Sequence, residues 1–351
     1  MHVQRLVPTA PLGTGLRNGV INMADYEGKD WPMAPIAIPS KNRECTLCEQ
    51  TLQMLRSYGY NMAKVHVFVD ATHFREDGSN EYDMYWRCLR SRGFSQVNIH
   101  PGGKGLRKQY ARIFAFFHGE PEIIMSSDTV PRLHWRKRLH NVSVEPLPAK
   151  QFKPVIRIGF DMCRVFGARA WSLASCKAGP NLTPGRISRK CGLLCGNFFG
   201  VRMDVGRPIQ MTVSDLTTDV EFSLKCWKQD GAMLRFLGIA AAHEYRSRGG
   251  HADIFPQLKK RHVATCKAIE TLARQFPETL KYTGTEERRS KAMNYRFLQK
   301  GPKALVVKGT FTAQGRKPAN GWRHVSGKER VRRHRLRQRQ TKKNGHSSRR
   351  E

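Results

Sequence analysis

Short apolar runs alternate with segments of helical periodicity in the first half of the chain, and this alternation limits the folds open to it. Strand-like runs cover residues 35–39, 64–69, 96–99 and 122–125. Helical patterns separate them at 44–58, 81–92 and 106–117. Strands joined by helical crossovers pack side by side in a parallel sheet. We therefore predict an α/β fold with a mostly parallel central sheet.

The second half has weaker periodicity but continues the same alternation. It predicts helices over 155–166, 218–229 and 260–276, and strands around 191–203, 232–240 and 304–307. The first residues are rich in Gly, Pro and Asn and lack an apolar period. We predict an irregular extension over 1–33, one domain over 34–285 and a basic, largely disordered tail over 286–351.

The charge of the chain predicts a polyanionic partner. The net charge is +34, and residues 286–351 hold 21 Lys and Arg against 4 Asp and Glu, or +17 of that total. Residues 327–351 have too few apolar side chains to fold alone. A dense basic segment binds nucleic acid by displacing counterions from phosphates. DNA is therefore the expected partner, while a nuclear-import signal and a ribosome-binding arm remain alternative roles for the tail.

Nine cysteines without a regular framework predict reduced thiols, and hence a cytoplasmic or nuclear protein. No run approaches the ~18 to 20 apolar residues of a membrane span, so we expect a protein that is neither secreted nor membrane-bound. Cys45 and Cys48 form a C-x₂-C pair that could make a zinc site with Cys191 and Cys195. The pair lies in a helical pattern rather than a knuckle, which favours a structural role.

Polar residues stand where two predicted elements end or begin. Ser126, Ser127 and Asp128 directly follow the apolar run EIIM, and ligands of open α/β sheets bind beyond the carboxyl ends of strands. Asp219 and Glu221 open a later helix. The alternatives are structural, because Asp also caps turns and acids stabilise helix N-termini.

A glycine-rich turn, PGGKG, precedes the helix that starts at residue 106. Its glycines, Gly102, Gly103 and Gly105, would let exposed helix N–H groups face a phosphate. A tight turn with no ligand explains the same residues equally well.

Longer segments carry a resemblance in the same order along the chain. They are PIAIPSKNRECTLCEQTLQMLRSYGYNMAKVHVFVDA, GGKGLRKQYARIF, EIIMSSDTVPRL, FDMCRVFGARAW, CGLLCGNFFGVRMD, TTDVEFSLKCWKQDGAMLRF and RSRGGH. Over residues 34–282 the chain resembles the phage and TET/JBP-associated DNA glycosyltransferases. The resemblance implies a glycosyltransferase A fold, a nucleotide-sugar donor such as a UDP-sugar, and hydroxymethylated bases in DNA as the acceptor.

The resemblance also implies roles for individual residues. It places Asp128 in an acidic motif that would hold Mg²⁺ or Mn²⁺ on the donor diphosphate. Asp219 would accept the proton of the acceptor hydroxyl, with Glu221 as a second catalytic candidate. Gly249 and Gly250 match a Gly-Gly loop of the family. The predicted donor-binding residues are Pro39, Ser40, Arg43, Gly105, Arg107 and Arg112.

Two departures from the family pattern support a rival hypothesis. Ser127 and Thr129 flank Asp128 where the family has a run of acids, and loss of carboxylates weakens metal binding. Tyr110 and Ala111 stand where Arg-Asn is expected, so neighbouring basic residues would have to bind the diphosphate. The rival is a non-catalytic nucleic-acid-binding protein that keeps the fold. A third hypothesis is a transferase acting on protein or glycan.

Overall fold

A computed structural model describes residues 16–17, 20–70, 72, 74, 78–136, 144–174, 182–206, 208–241, 257–283, 295–298 and 304–308. These residues all fall within one contact unit, Met1–Ala313. Gly249 and Gly250 of the predicted Gly-Gly loop, and the basic segment 327–351, lie outside the described residues.

Four parallel strands form one half of the central sheet. They are β3 (Ile36–Ser40), β4 (Val65–Val69), β5 (Asn98–Pro101) and β6 (Glu122–Ser126), arranged in the order β5-β4-β3-β6. Each adjacent pair is parallel. All four carboxyl ends therefore meet at one edge of the sheet, and the chain segments that leave this edge contain most of the predicted site residues.

The other half of the sheet is mixed. It contains β9 (Ala170–Ala174), β10 (Arg186–Ser188), β11 (Phe198–Arg202) and β12 (Leu234–Ala241). Strand β11 runs antiparallel between β6 and β9, and β12 is parallel to β9. The pairings give nine of the thirteen strands of this sheet one direction and reverse the other four, which include β10 and β11. The predicted α/β class with a mostly parallel sheet is confirmed.

Helices cover both faces of the sheet. They are α1 (Glu44–Leu47), α2 (Gln53–Ser57), α3 (Glu81–Ser91), α4 (Leu106–Phe116), α5 (Ala149–Phe166), α6 (Thr218–Asp230) and α7 (Leu258–Gln275). A π-helical turn, Cys48–Leu52, joins α1 to α2. Among the described residues, no helix combines the length and the apolar character that crossing a membrane requires.

Alternate side chains of the central strands enter two different cores. Ile36 and Ile38 of β3 pack in one cluster with residues of α2 and α5, whereas Ala37 packs in a second cluster with residues of α4 and α6. Successive side chains of a strand point to opposite faces of a sheet, which explains the division. Burial on both faces also explains why these strands are continuous apolar runs rather than alternating ones.

Segments outside the predicted domain add strands to this sheet. Described strands β1 (Leu16–Arg17) and β2 (Val20–Asn22) come from the extension, and β15 (Leu305–Lys308) from the predicted tail; β15 pairs with β2 and β10. The expectation of an irregular lead-in is therefore wrong for these residues. Buried Ile21 and Leu305 supply apolar surface that stabilises the added edge. The remaining bounds of the extension and tail stay predictions.

Smaller strands complete the described structure. Strands β7 (Leu133–Trp135) and β8 (Glu145–Pro146) pair with each other, and β7 also pairs with β12. Strands β13 (Leu280–Tyr282) and β14 (Tyr295–Phe297) form a separate two-stranded sheet. The tail predicted from residue 286 thus contains β14 as well as β15.

One large side chain fixes the spacing of three elements. Trp171 of β9 is fully buried between Gly159 of α5 and Gly200 of β11. A Cβ atom on Gly200 would lie 2.1 Å from the indole Nε1, and one on Gly159 would lie 2.5 Å from the ring. Both glycines are therefore required by packing rather than by backbone conformation.

We predict that Gly200→Ala lowers the free energy of unfolding by about 1–3 kcal/mol, since interiors have no room for added atoms. Urea titration followed by circular dichroism measures the change. Gly196→Ala is the matched control, because its Cβ would have only ordinary contacts at 3.7 and 3.8 Å. Equal denaturation midpoints for the two variants would contradict the packing role of Gly200.

Candidate functional site

The ends of β3 and β6 meet at a buried carboxylate. Ser40 is the last residue of β3, and its Oγ donates a hydrogen bond to Oδ2 of Asp128 at 2.7 Å. Arg43 lies three residues further on, with Nη1 3.0 Å from Oδ1 of Asp128. The carboxylate thus has a hydroxyl donor on one oxygen and a guanidinium on the other. Pro39, also predicted to bind the donor, precedes Ser40 in the same strand.

Tyr85 of α3 holds Ser40 and Arg43 in this arrangement. Its hydroxyl lies 2.7 Å from Oγ of Ser40 and accepts a hydrogen bond from the backbone N–H of Arg43 at 3.0 Å. Since Ser40 donates to Asp128, the tyrosine hydroxyl donates to Ser40. Burial, and then the charge of Asp128, raise the pKa of Tyr85 well above its ordinary value. The phenol therefore stays neutral and can maintain this chain of hydrogen bonds.

A second carboxylate, Asp70, follows β4 at the same edge. It is buried, accepts hydrogen bonds from the N–H and Oγ1 of Thr72 at 3.2 and 2.7 Å, and lies 3.7 Å from Nζ of Lys41. Asp70 is not among the site residues predicted from the sequence. The rule that selected Asp128, a polar residue directly after an apolar strand, selects Asp70 equally well.

The segment Ser40–Arg43, here called the SKNR loop, bends at the end of β3. Asn42 has a φ of 52° and is the only non-glycine residue with positive φ among those that the structure describes. Asparagine tolerates this left-handed conformation better than most residues. The backbone N–H of Asn42 donates to Oε1 of Glu81 at the start of α3. The loop is therefore held by α3 with Lys41 and Arg43 on either side of the bend.

The turn that carries Asp128 is fixed by the π-helical turn. Oγ1 of Thr51 donates to the carbonyl of Ser127 at 2.9 Å and accepts from the N–H of Val130 at 2.9 Å. The N–H of Ser127 donates to the carbonyl of Asn197 at 2.9 Å. These contacts bring the end of β6 beside the segment that precedes β11. Thr51 has no local sequence signal, because its partners lie more than seventy residues away.

The glycine-rich turn lies at the same edge of the sheet, but the groups that its backbone contacts belong to the protein itself. The N–H of Gly102 donates to the carbonyl of Val69 at 2.6 Å. At the start of α4, Asp215 accepts from the backbone N–H of Arg107 at 2.7 Å and faces its Nε at 3.3 Å. Gly105 has a φ of 87°, and a Cβ there would lie 2.6 Å from the Asp215 carboxylate. A protein carboxylate therefore stands where the sequence predicted a phosphate.

The two predicted arginines of α4 differ in their surroundings. Arg107 contacts Asp215 and also donates from Nη1 to the carbonyl of Thr212 at 2.7 Å. Arg112 is exposed, and its charge acts on His100 at the end of β5, whose pKa is lowered first by burial and then by this arginine. The described contacts join neither arginine to Asp128.

Asp219 stands in the first turn of α6 beside Tyr110 and Cys195. Its Oδ1 accepts from the N–H of Val220 at 2.9 Å. Burial raises the pKa of Asp219 to about 6, against the lowering effect of that N–H, and its charge raises the pKa values of Tyr110 and Cys195 further. A carboxylate with a pKa near the working pH suits general-base catalysis. Gly196, whose Cβ position is 3.7 Å from the Cβ of Asp219, precedes Asn197, which contacts the Asp128 turn.

Glu221 has a different environment. It is fully buried and accepts hydrogen bonds from the backbone N–H groups of Thr212 at 2.7 Å and Val213 at 2.9 Å, while Nζ of Lys225 lies 2.6 Å away. Burial alone would raise its pKa, but Lys225 and the two N–H groups outweigh burial and lower it. Glu221 therefore anchors residues 212–213 against α6, and we retain only Asp219 as a candidate base.

The residues at Asp128 do not fit a resident divalent cation. Mg²⁺ and Mn²⁺ need accessible oxygen ligands, usually including one or two carboxylates. Both oxygens of Asp128 already have donors, and one donor is the cationic Arg43. Within the described residues, no group of three His, Cys, Asp or Glu side chains is arranged to hold a metal. The cation predicted at Asp128 is therefore not supported by these donors.

The cysteines do not form the combination considered for zinc. The Sγ atoms of Cys45 and Cys48 each lie 3.9 Å from Sγ of Cys88 on α3. Cys48 packs in the first core cluster, whereas Cys191 packs in the second. The C-x₂-C pair thus belongs to the contact between α1 and α3.

No family model matches the chain, and no curated protein matches its sequence. Solved structures that are similar to the chain at low identity include the following three. A mannosyltransferase from Pyrobaculum calidifontis with GDP-Man and Mn²⁺ has 12% identity over 72% of this chain and 70% of its own, with a TM-score of 0.41. Glucosyl-3-phosphoglycerate synthase from Mycobacterium tuberculosis with Mn²⁺ and UDP-glucose has 10% identity over 82% and 94%, with a TM-score of 0.41. Residues 1–349 of S. aureus TarS with UDP-GlcNAc have 9% identity over 69% and 67%, with a TM-score of 0.39. Similarity at this level does not assign the chain to a family.

Proposed function

We propose that the protein is a glycosyltransferase of the glycosyltransferase A type, which moves a sugar from a nucleotide-sugar donor to a hydroxylated base in DNA. The observation that carries this proposal is the meeting of Ser40, Arg43 and Asp128 at the carboxyl edge of the parallel strands. Asp219 of α6 lies beside Gly196, whose neighbour Asn197 contacts the Asp128 turn. The sequence resemblance assigns donor and acceptor roles to the same positions. Ligands of open α/β sheets bind at this edge.

Each group has a stated part in the proposed reaction. Pro39, Ser40 and Arg43 bind the donor nucleotide, while Asp219 takes the proton of the acceptor hydroxyl. The hydroxyl oxygen forms the new bond to the anomeric carbon of the sugar, and the bond from that carbon to the diphosphate breaks. The diphosphate leaves with the bonding electron pair. A base with a pKa of about 6 is largely ionised at pH 7 and can accept this proton.

The proposed acceptor rests on charge. The excess of positive charge, divided between the tail and the rest of the chain, favours a phosphate-rich partner of considerable length. A hydroxymethyl group on a base inside a duplex is hard to reach, so the base would be flipped out or presented on a single strand. We propose this acceptor ahead of a protein or glycan, for which such a charge has no use.

The test is transfer of radiolabelled sugar from a panel of UDP- and GDP-sugars to DNA containing hydroxymethylcytosine. Unmodified DNA of the same sequence is the control, since it offers the same phosphates without the hydroxyl. We expect label only in the modified DNA, with one donor preferred. Tight binding to both DNAs without label from any donor would favour the non-catalytic nucleic-acid-binding protein instead.

A further inference from the structure

Two residues of the SKNR loop form ion pairs with carboxylates outside the loop. In the pair of Arg43 with Asp128, the arginine side chain is 15% exposed and the carboxylate 5%. In the pair of Lys41 with Asp70, the lysine is 18% exposed and the carboxylate 2%. In both pairs the base is more exposed than the acid, although both side chains are largely buried. A ligand that approaches the ends of β3, β4 and β6 would therefore meet Lys41 and Arg43 before the two acids.

A base that is more exposed than its acid is the reverse of what a cation site requires. A site for a divalent metal exposes carboxylate oxygens to the ion. Here Asp128 is covered by Arg43 and Ser40, and an ion beside it would also stand next to a guanidinium of like charge. An anion meets the opposite situation, because it would approach the more exposed side chains, Lys41 and Arg43, while the acids are more deeply buried.

We propose that Lys41 and Arg43 bind the diphosphate of the donor directly, so that donor binding requires no divalent metal. This inference rests on the proposed function and specifies how its donor is held. A guanidinium has five N–H donors in a fixed plane and binds phosphate oxygens in pairs. The carboxylate of Asp128 orients that plane, and Tyr85 and Ser40 hold Asp128 in turn. Asp128 is then a positioning residue rather than a metal ligand.

The conformation of the SKNR loop is consistent with these roles, in which the bases bind the phosphates and the acids orient the bases. The left-handed backbone at Asn42 places the side chains of Lys41 and Arg43 on two different carboxylates rather than on one. Two separate cations, each with its own acid, match the two phosphates of a nucleoside diphosphate in number. The charge of each pair also remains balanced when the ligand leaves.

The experiment is calorimetric titration of the full chain with UDP and GDP, in EDTA and in Mn²⁺. We expect the dissociation constant of the preferred nucleotide to agree within about twofold between the two conditions. Arg43→Gln should weaken binding by about 10- to 100-fold in both, since it removes a charged hydrogen-bond donor from the phosphate. Arg43→Lys should recover part of the loss because it restores the charge. Lys41→Gln should weaken binding independently.

The matched control is Arg92→Gln, which breaks an exposed ion pair between Arg92, the residue after α3, and Glu49 of the π-helical turn, and should leave nucleotide binding unchanged. Asp128→Asn separates the two models, since binding should persist in EDTA if Asp128 only orients Arg43.

Binding that appears only with Mn²⁺ overturns the inference and leaves the transferase proposal standing. Failure of every nucleotide to bind under both conditions overturns the transferase proposal as well. If Arg43→Gln does not fold, as its thermal melt would show, the wild-type comparison and Lys41→Gln decide the question.

Discussion

Replacing Asp219 by Asn should lower the turnover number for sugar transfer by about 10²- to 10⁴-fold, the usual contribution of a general base. Asparagine keeps the size of the side chain and cannot accept the proton. Donor binding should be unchanged, because in the proposed site the SKNR loop, and not Asp219, contacts the nucleotide. In the wild type, the turnover number should rise with pH and level off above about 6, where Asp219 is ionised. Transfer kinetics between pH 5 and 8 measure both effects.

The same substitution should stabilise the fold, which separates a catalytic loss from unfolding. The pKa of Asp219 is about 6 in the folded protein, above its ordinary value of 3.8. Its contribution to folding is favourable while it is protonated, is fully present below pH 3.8 and is lost as the pH rises through 6. At pH 7.5, Asp219→Asn should therefore raise the free energy of unfolding by about 1–3 kcal/mol. The difference should shrink towards pH 4.

Glu221→Gln is the control on the same helix, with the opposite expectation. The pKa of Glu221 is lowered, so its stabilisation is present above its ordinary pKa and is lost as the pH falls. Removing the charge should lower the free energy of unfolding at pH 7.5, since Lys225 loses its counter-ion and one of the two backbone N–H groups faces an amide NH₂ instead of an oxygen acceptor. Sugar transfer at equal folded fraction should remain. Retention of full transfer by Asp219→Asn would show that the carboxylate is not the base.

The fold could be predicted from the sequence where local patterns determine it. The alternation over residues 35–125 predicts strands β3 to β6 and helices α3 and α4 to within about two residues, because β3, β4 and β6 are apolar runs and each helix ends near a glycine. Strand β9 was missed because Ala170–Ala174 is short and has no alternating pattern. Helix α5 begins six residues before its predicted start, and Pro154 interrupts the pattern within it.

The site was predictable only as far as strand order determines it. Parallel strands bring the residues after β3 and β6 together, so the proximity of Ser40 and Asp128 follows from the topology. The partners that decide what the predicted site residues can bind come from distant parts of the chain. Asp215 meets Arg107 across 108 residues, and Arg43 meets Asp128 across 85. No local pattern distinguishes an aspartate that binds a metal from one that orients an arginine.

Deleting residues 327–351 should flatten the salt dependence of DNA binding as well as weaken it. The segment, which lies outside the described residues, holds 11 Lys and Arg against 2 Glu. Each phosphate neutralised on duplex DNA adds ~0.9 to the slope of log affinity against log salt concentration, so loss of several contacts changes the slope by several units. Preference for hydroxymethylated bases should survive, because phosphate contacts carry no sequence information and the proposed acceptor site lies in the folded part. Fluorescence anisotropy at several salt concentrations measures the slope for the full chain, the truncated chain and a control whose tail is a Gly-Ser segment of equal length. An unchanged slope in the truncated chain would exclude tail contacts with DNA and favour a role of the tail in localisation.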